Sequence, residues 1–262
     1  MNRAAEATDT EQQGPRPPDS GRTGRGLAGR LIDWGSQMHV YDDGRYRRGR
    51  YDRGADVNAR WFAEVAEVAE VQDALERFQP AGRVLELACG TGLWTRRLIE
   101  HADAVTAVDA SPEVIELARA AVDDRNVSYV RADLFAWEPH ESYDVCFFGF
   151  WLSHVPRARW RPFWAKVERC LRPEGRVFFV DNLPSNLAYA VGGQLPAEGE
   201  ETVTRRLADG REFRIVKRFY EPHALTRQLA DLGWAAHVRA TPEFFIYGQA
   251  TTTRERVAMD GR

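Results

Sequence analysis

A glycine loop beside acidic residues is the stretch of this 262-residue sequence whose residue types most directly suggest chemistry. In RVLELACGTGLWTRR (residues 83–97), an apolar, strand-like run meets a tight Gly-x-Gly and then turns helical. A glycine loop between a strand and a helix usually holds a nucleotide-like ligand. The dinucleotide fingerprint G-x-G-x-x-G is incomplete here, and the absence of Gly-Lys-Ser/Thr excludes a triphosphate loop.

Three acidic residues narrow the choice of ligand. Glu86 lies inside the first strand, Asp109 ends the second strand in AVTAVDAS, and Asp133 follows the third strand in VRADLF. An acid at the end of the second strand suits a ribose diol, because carboxylates accept hydrogen bonds from hydroxyls. Asp133 suits an adenine amino group, and Glu86 suits a cationic amino acid moiety. Together they describe a cationic adenosyl ligand without phosphate, which is S-adenosyl-L-methionine.

Alternating strands and helices must position these loops. We predict strands near 83–88, 104–109, 127–131, 143–149 and 175–181, and helices near 92–101, 112–122 and 157–171. This alternation predicts an α/β fold, a Rossmann-like, doubly wound and mostly parallel sheet with helices on both faces. Right-handed crossovers then bring the ligand-binding loops to the carboxyl edge of the sheet. Toward the end, we predict a hairpin in 201–219, a helix near 222–232 and two strands near 235–249.

Four motifs carry a resemblance to a known family. ELACGTG, VDAS, ADLF and YDVCFFGFWLSHVP, in this order, resemble class I S-adenosylmethionine-dependent methyltransferases over about residues 80–181. The usual first glycine of the loop is replaced by Ala88. The resemblance implies cofactor contacts at Glu86, Ala88, Gly90, Thr91, Gly92, Trp94, Asp109, Ala110, Asp133, Leu134 and Phe150. A Rossmann-like fold that binds another nucleotide, or none, is the alternative.

His154 follows the fourth predicted strand, in FWLSHVP, at the carboxyl edge beside the expected methyl group. It could act as a general base for a hydroxyl or as a donor to an anionic acceptor. It could equally be a structural histidine that bonds a backbone carbonyl.

The predicted hairpin places cations on an apolar face. Strand alternation assigns the odd-numbered positions, which include Arg205 and Lys217, to the buried side. Buried cations are costly unless they are paired. Either they meet buried carboxylates, or they bind an anionic substrate, because Arg and Lys donors suit both carboxylate and phosphate-like oxygens.

A closer resemblance bears on the substrate. DLFAWEPHESYDVCFFGFWLSHVP and VTRRLADGREFRIVKRFYEPHALTRQLADLGW resemble phosphonate O-methyltransferases of the dehydrophos pathway type, over roughly residues 80–250. The resemblance implies O-methylation of an anionic, phosphonate-like acceptor in natural-product biosynthesis, with Arg205 and Lys217 in contact with the substrate and His154 nearby. The alternatives are a phenol, alcohol or amine acceptor with His154 as general base, and a cofactor-binding regulator without turnover.

The sequence divides into several parts. We expect a disordered tail at 1–26, an N-terminal helical or lid segment at 27–79, a methyltransferase domain at 80–250 with a substrate-side insertion at 182–219, and a C-terminal tail at 251–262. A helix is predicted over about 55–78. The Arg/Tyr-rich run 41–54, which includes Tyr46 and Tyr51, is a solvated loop, a lid over an anionic substrate or an RNA contact.

Composition limits the remaining classes. A net charge of −3 argues against charge-driven nucleic-acid binding, and no apolar run is long enough to cross a bilayer. Three dispersed cysteines fit a reducing cytoplasm better than a disulfide framework or zinc site, and no metal is implied. We therefore expect a cytoplasmic protein with a small-molecule substrate. The sequence leaves the oligomeric state open.

Overall fold

The computed structural model describes residues 66–185, 195–206 and 212–253, without the side chains of Arg205, Arg206 and Glu212. The predictions for the tail at 1–26, for the Arg/Tyr-rich run with Tyr46 and Tyr51, and for residues 254–262 lie outside the described residues. The described part of the helix predicted over 55–78 is helical from Ala66 onward.

The elements alternate as the sequence predicts. The helices are α1 (Ala66–Phe78), α2 (Thr95–Leu98), α3 (Pro112–Ala121), α4 (Arg157–Cys170) and α5 (Pro222–Ala230), and a 3-10 turn spans Leu152–His154. The strands are β1 (Arg83–Leu87), β2 (Ala104–Asp109), β3 (Val127–Arg131), β4 (Tyr143–Gly149), β5 (Leu171–Asn182), β6 (Thr202–Arg206), β7 (Glu212–Val216), β8 (Trp234–Ala240) and β9 (Phe245–Thr252).

Seven of these strands form one sheet, in the order β3-β2-β1-β4-β5-β9-β8. β1 pairs in parallel with β2 and β4, and β9 is antiparallel to both of its neighbours. At the end of β1, Leu87 pairs with Val108 and with Phe148, so the carboxyl ends of β1, β2 and β4 meet at one edge. The predicted Rossmann-like, doubly wound and mostly parallel sheet is confirmed.

Two hydrophobic clusters cover the two faces of the sheet, because the central strands are apolar on both sides. One cluster buries residues of α4 and α5, including Trp164 and Leu229, against the sheet. The other buries residues of α1 and α2, including Leu75 and Leu98. Since both faces are covered, the sheet edges and the loops that leave them are where a ligand can approach.

Two predicted elements differ in length. The helix predicted at 92–101 is reduced to α2, because Gly92 has a φ of 82° and the chain turns before Thr95. The strand predicted at 175–181 begins earlier, at Leu171, which pairs with Tyr143 before a register shift between Tyr143 and Val145. The strand therefore follows α4 directly, and the irregularity makes room for the turn at Glu174, whose φ is 64°.

The hairpin of β6 and β7 forms a separate two-stranded sheet. Val203 pairs with Ile215, and Arg205 pairs with Phe213, so odd positions face odd positions as predicted. Val203 and Ile215 are buried, whereas Arg214 on the other face is exposed. The predicted alternation therefore holds for Val203, Ile215 and Arg214, but Val216, an even position at the end of β7, is buried as well. The tip at 207–211 lies outside the described residues.

One strand passes a predicted boundary, since β9 continues to Thr252, inside the segment predicted as a tail from residue 251. Within the described residues, every helix is too short or too polar to span a membrane.

Candidate active site

The glycine loop leaves β1 through a sharply turned backbone. Ala88, the residue at the usual first glycine, has a φ of 57°, a left-handed conformation that costs a residue with a Cβ about 1 kcal/mol or more. Cys89 N–H donates to Val108 O at 3.1 Å, and Gly92 N–H donates to Cys89 O at 3.1 Å. These bonds hold the strained turn against the end of β2.

The two glycines of the loop have different surroundings. A Cβ built on Gly92 would lie 3.3 Å from the backbone of Ala118, so this glycine permits close packing of the loop on α3. A Cβ built on Gly90 would meet nothing within 4 Å. The open space beside Gly90 fits a ligand that approaches the backbone of the loop closely.

Asp109 connects the loop to the end of β2. One carboxylate oxygen accepts the Gly90 N–H at 3.1 Å and the other accepts the Ser111 N–H at 3.0 Å. Ser111 in turn caps α3, since its hydroxyl accepts the Val114 N–H at 3.3 Å. Because each carboxylate oxygen has two lone-pair positions, Asp109 can accept ribose hydroxyls while it holds the loop.

Glu86 is buried in β1 directly below the loop, with 1% of its surface exposed. Its carboxylate accepts the Thr95 hydroxyl at 2.6 Å, a bond that connects β1 to α2. Burial raises the pKa of Glu86 to about 8; the Thr95 hydrogen bond opposes this rise and the charge of Asp109 adds to it. A cationic group near Glu86 would offset the cost of ionising it.

The loop that carries Asp133 is held from below by Lys166 of α4. The Lys166 ammonium donates to the backbone carbonyls of Leu134 at 3.1 Å, Phe135 at 2.8 Å and Trp137 at 2.5 Å. Burial lowers the pKa of Lys166, and the negative charge of Glu138 partly opposes this decrease. Asp133 itself accepts the Phe135 N–H at 2.9 Å, so its carboxylate is oriented by its own turn.

The exit of β4 is the second strained turn of this edge. Phe150 has a φ of 58°, which is unusual for a bulky residue, and its N–H donates to Val180 O at 2.7 Å. A Cβ on the preceding Gly149 would lie 2.7 Å from the indole of Trp94. Left-handed residues with a Cβ therefore follow both β1 and β4, at the edge where the cofactor is predicted, although Gln79 and Glu174 show that such residues also occur elsewhere.

His154 ends the 3-10 turn after β4 and is partly buried. Its Nδ1 lies 2.7 Å from the carbonyl oxygen of Val216, at the end of the hairpin. A carbonyl can only accept, so Nδ1 carries the proton, and the neutral ring presents a lone pair at Nε2. The structure thus contains the backbone bond of the structural interpretation, and this bond also selects the tautomer that a base would need.

Lys217 lies just beyond β7 with only 3% of its surface exposed. Its ammonium donates to the Ser153 hydroxyl at 2.8 Å and lies 3.6 Å from the buried carboxylate of Asp181. Of the two alternatives for a buried cation, the paired carboxylate is therefore present for Lys217. Contact with a substrate anion stays a prediction, both here and for Arg205, whose side chain is outside the described residues.

The predicted cofactor residues lie at one edge of the sheet, some of them in exposed loops and others buried beneath these loops. Gly90, Thr91, Ala110 and Asp133 have partly or fully exposed positions in the loops, whereas Trp94 and Leu134 are buried in the hydrophobic clusters. A direct cofactor contact by either buried residue stays a prediction, but both support the loops from below.

Sequence reasoning missed four supporting residues. These are Thr95, Ser153, Lys166 and Asp181. Asp181 is the next-to-last residue of a buried strand, close to the position that Asp109 has in β2, and this signal could have revealed it. Lys166 lies on the buried face of α4, between Phe163 and Cys170, where a cation needs partners.

A cavity of about 430 Å³ lies at the exit of the hairpin. Its charged lining consists of three cations, Arg157, Lys217 and Arg218, and one carboxylate, Glu200, among the described residues that border it. The volume suits a small molecule and the charge balance suits an anion.

Comparison with known proteins identifies the family to which the chain is similar. A methyltransferase-domain model matches residues 84–175. A ubiquinone biosynthesis O-methyltransferase of Xanthomonas axonopodis pv. citri is 32% identical over 170 residues, 60% of this chain. The match spans 64% of that relative's length.

Two solved structures match more of the chain. The DhpI–SAH complex is 36% identical, with a TM-score of 0.67, and the match covers 81% of this chain and 96% of that one. The DhpI–SAM–HEP complex is 37% identical, with a TM-score of 0.66, and the match covers 82% and 99%. The chain belongs to the class I S-adenosylmethionine-dependent methyltransferases, whose cofactor fits the carboxylates and the open loop described above.

Proposed function

We propose that the protein transfers a methyl group from S-adenosylmethionine to an oxygen of a small, anionic, phosphonate-like acceptor. One observation carries the proposal: the end of the basic hairpin rests on the turn that follows β4, with the His154 ring 2.7 Å from Val216 O. The hairpin that carries Arg205 thereby belongs to the carboxyl edge where the cofactor loops meet. The cationic lining of the neighbouring cavity and the resemblance to phosphonate O-methyltransferases support the same acceptor class.

In this proposal the loops hold the cofactor and the hairpin holds the acceptor. Glu86, Asp109 and Asp133 would receive the amino acid, ribose and adenine parts, respectively. When bound, S-adenosylmethionine supplies an electrophilic methyl group.

The work left to the protein is alignment of the acceptor oxygen. A phosphonate oxygen is already ionised at neutral pH and needs no strong base. Arg205 would neutralise and orient the acceptor, with Lys217 beside it. Neither should bind the attacking oxygen too tightly, because such a bond stabilises the ground state as much as the transition state.

Arg205→Ala tests the anion site. We expect it to lower kcat/KM for small phosphonates by about 10- to 100-fold, since a charge-assisted hydrogen bond contributes about 1.5–3 kcal/mol. The measurement is release of S-adenosylhomocysteine with phosphonates, carboxylates, phenols and amines. Arg214→Ala is the matched control, because Arg214 lies on the exposed face of the same hairpin and bonds Thr202.

The proposal is contradicted if phosphonates are not methylated, or if Arg205→Ala and Arg214→Ala behave alike. Turnover only on phenols or amines would leave the methyltransferase family intact and replace the acceptor. Cofactor binding without S-adenosylhomocysteine release from any acceptor would favour a regulator.

A second candidate is O- or N-methylation of a phenol, alcohol or amine, with His154 as general base. The Nδ1 bond to Val216 O favours it, because this bond keeps the proton on Nδ1 and thereby makes Nε2 the basic nitrogen of the neutral ring. The similarity to a ubiquinone biosynthesis O-methyltransferase points the same way.

His154→Gln separates the two candidates. With a phenol acceptor and His154 as base, we expect the wild-type rate to fall at acid pH, as the ring is protonated, and the variant to lose both the rate and this pH dependence. With a phosphonate acceptor, the imidazolium can donate to the anion, so no such acid loss is expected. A profile of kcat/KM against pH for both acceptor classes decides between them.

A further inference from the structure

Asp181 is a buried carboxylate that the chemistry proposed above leaves unassigned. It lies near the carboxyl end of β5 with 0% of its surface exposed. One oxygen accepts the Ser153 N–H at 2.8 Å, and the other accepts the Asn182 N–H at 2.7 Å. The latter oxygen also lies 3.6 Å from the Lys217 ammonium.

These contacts join three segments of the chain. Lys217 arrives from the hairpin, Ser153 lies in the 3-10 turn beside His154, and Asp181 belongs to the central sheet. The Ser153 residue is the centre of the cluster, because its N–H contacts Asp181, its hydroxyl accepts from Lys217, and its carbonyl accepts the Arg218 N–H at 2.8 Å.

The same turn holds the hairpin through two further bonds. His154 Nδ1 bonds Val216 O, and the Arg218 guanidinium donates to Val155 O at 3.0 Å. The position of the His154 ring relative to the sheet therefore depends on where the end of the hairpin rests. The Lys217–Asp181 pair is the contact that connects this end of the hairpin directly to the central sheet.

We propose that Asp181 is a positioning residue: with Lys217 and Ser153 it forms a latch that holds the hairpin and the His154 turn in one fixed register. The inference rests on the proposed function for its kinetic consequence, because the latch would set where the acceptor lies. The charge of Lys217 is then compensated by Asp181 before any acceptor binds.

An ion pair with a purely structural role would affect stability at any place in the fold. A second ion pair, away from the proposed site, is therefore needed for comparison. Asp144, near the beginning of β4, offers the comparison, because it accepts the Arg83 N–H at 2.8 Å and pairs with Arg172 at 2.7 Å. That cluster lies at the amino edge of the sheet, away from the loops that follow β1 and β4. Asp144→Asn is therefore the matched control for Asp181→Asn.

The test measures three quantities on the full chain: kcat with the acceptor, the Kd of S-adenosylmethionine, and the tautomer of His154. We expect Asp181→Asn to lower kcat about 100-fold, because small misplacements of a reacting group have effects of this size. The Kd should stay within about twofold, since Glu86, Asp109 and Asp133 lie in or after β1, β2 and β3, which carry no residue of the latch. Nitrogen-15 NMR of the histidine rings, assigned with His154→Gln, should show the Nδ1–H tautomer in the wild type and its loss in the variant.

Asp181→Asn leaves Lys217 buried without its carboxylate and could prevent folding. The double variant Asp181→Asn/Lys217→Met removes both charges. It is expected to unfold near the wild-type temperature while kcat stays low. Ser153→Ala is a milder break and is expected to lower kcat about tenfold, as loss of one hydrogen bond does.

The latch is wrong if the double variant recovers wild-type kcat, or if Asp144→Asn lowers kcat as much as Asp181→Asn. It is also wrong if the His154 tautomer is the same in Asp181→Asn. The NMR result needs no acceptor, so a latch that passes it while no phosphonate is methylated would separate a failed acceptor class from a failed latch.

Discussion

Asp109→Asn is expected to weaken S-adenosylmethionine binding by several hundred-fold. The wild-type carboxylate accepts from Gly90 N–H on one oxygen and from Ser111 N–H on the other. An asparagine has one carbonyl oxygen, so in either orientation its amide NH₂ faces one of these N–H donors. The loop then loses a bond and gains a repulsion, and the ribose hydroxyls lose an ionised acceptor.

The magnitude follows from two charge-assisted hydrogen bonds. Each contributes about 1.5–3 kcal/mol, and a combined loss at the lower end of this range, roughly 3–4 kcal/mol, corresponds to a change of about 100- to 1,000-fold in Kd. Isothermal titration calorimetry with the cofactor measures it, after thermal unfolding has shown that the variant is folded at the temperature used.

Asp103→Asn is the matched control for this substitution. Asp103 precedes the same strand at its amino end and is exposed, so the cofactor Kd should not change. If the folded Asp109→Asn variant bound the cofactor within about threefold of the wild type, then the carboxyl end of β2 would not be the ribose site.

The cofactor half of the site was predictable because it depends on short local patterns. The apolar runs of β1 and β4, the Gly-x-Gly turn and the acids at strand ends each occupy a few consecutive residues. Parallel pairing then brings strand ends together without further information, as the register of Leu87 with Val108 and Phe148 shows. The fold and the position of Asp109 could therefore be inferred together.

The contacts that support the loops were less predictable, because the two residues of each contact are distant in the sequence. Lys217 and Ser153 are separated by 64 positions, and Lys166 reaches a carbonyl 32 positions before it. Such pairs depend on how α4 and the hairpin pack, which no local pattern specifies. The sequence predicted that Lys217 would be buried, but it left the identity of its partner open.

Local strain also escaped sequence reasoning. Ala88 at the usual glycine position has a left-handed backbone, although its Cβ opposes it. Phe150 shows the same conformation, and no composition rule predicts it at a bulky residue. Tertiary contacts impose both turns, through Cys89 N–H to Val108 O and Phe150 N–H to Val180 O.

Glu86→Gln is expected to stabilise the cofactor-free protein strongly at pH 8 and only slightly at pH 5. The folded-state pKa of Glu86 is about 8, above its ordinary value of 4.5, because burial penalises the charged form. At a pH between these two pKa values, the folded state keeps the Glu86 proton, whereas the unfolded state has released it. The free energy of unfolding of the wild type therefore falls as pH rises through this window.

A glutamine avoids this loss and keeps the local contact. It carries no charge to desolvate, and its carbonyl oxygen can accept the Thr95 hydroxyl that Glu86 accepts at 2.6 Å. Between pH 5 and pH 8, a pKa shift of this size lowers the free energy of unfolding of the wild type by roughly 3–4 kcal/mol relative to that of Glu86→Gln. Urea unfolding of both proteins at several pH values measures the difference, with the exposed Glu100→Gln as the control for surface charge.

Bound cofactor should reverse the order of stability of the wild type and Glu86→Gln. A cation bound near Glu86 favours the ionised carboxylate, so saturating S-adenosylmethionine should stabilise the wild type more than Glu86→Gln, and more at pH 8 than at pH 6. An equal gain in both proteins would place the cationic amino acid moiety away from Glu86. If unfolding of wild type and variant showed the same pH dependence without cofactor, Glu86 would be ionised in the folded state, and its burial would be compensated by a group other than Thr95.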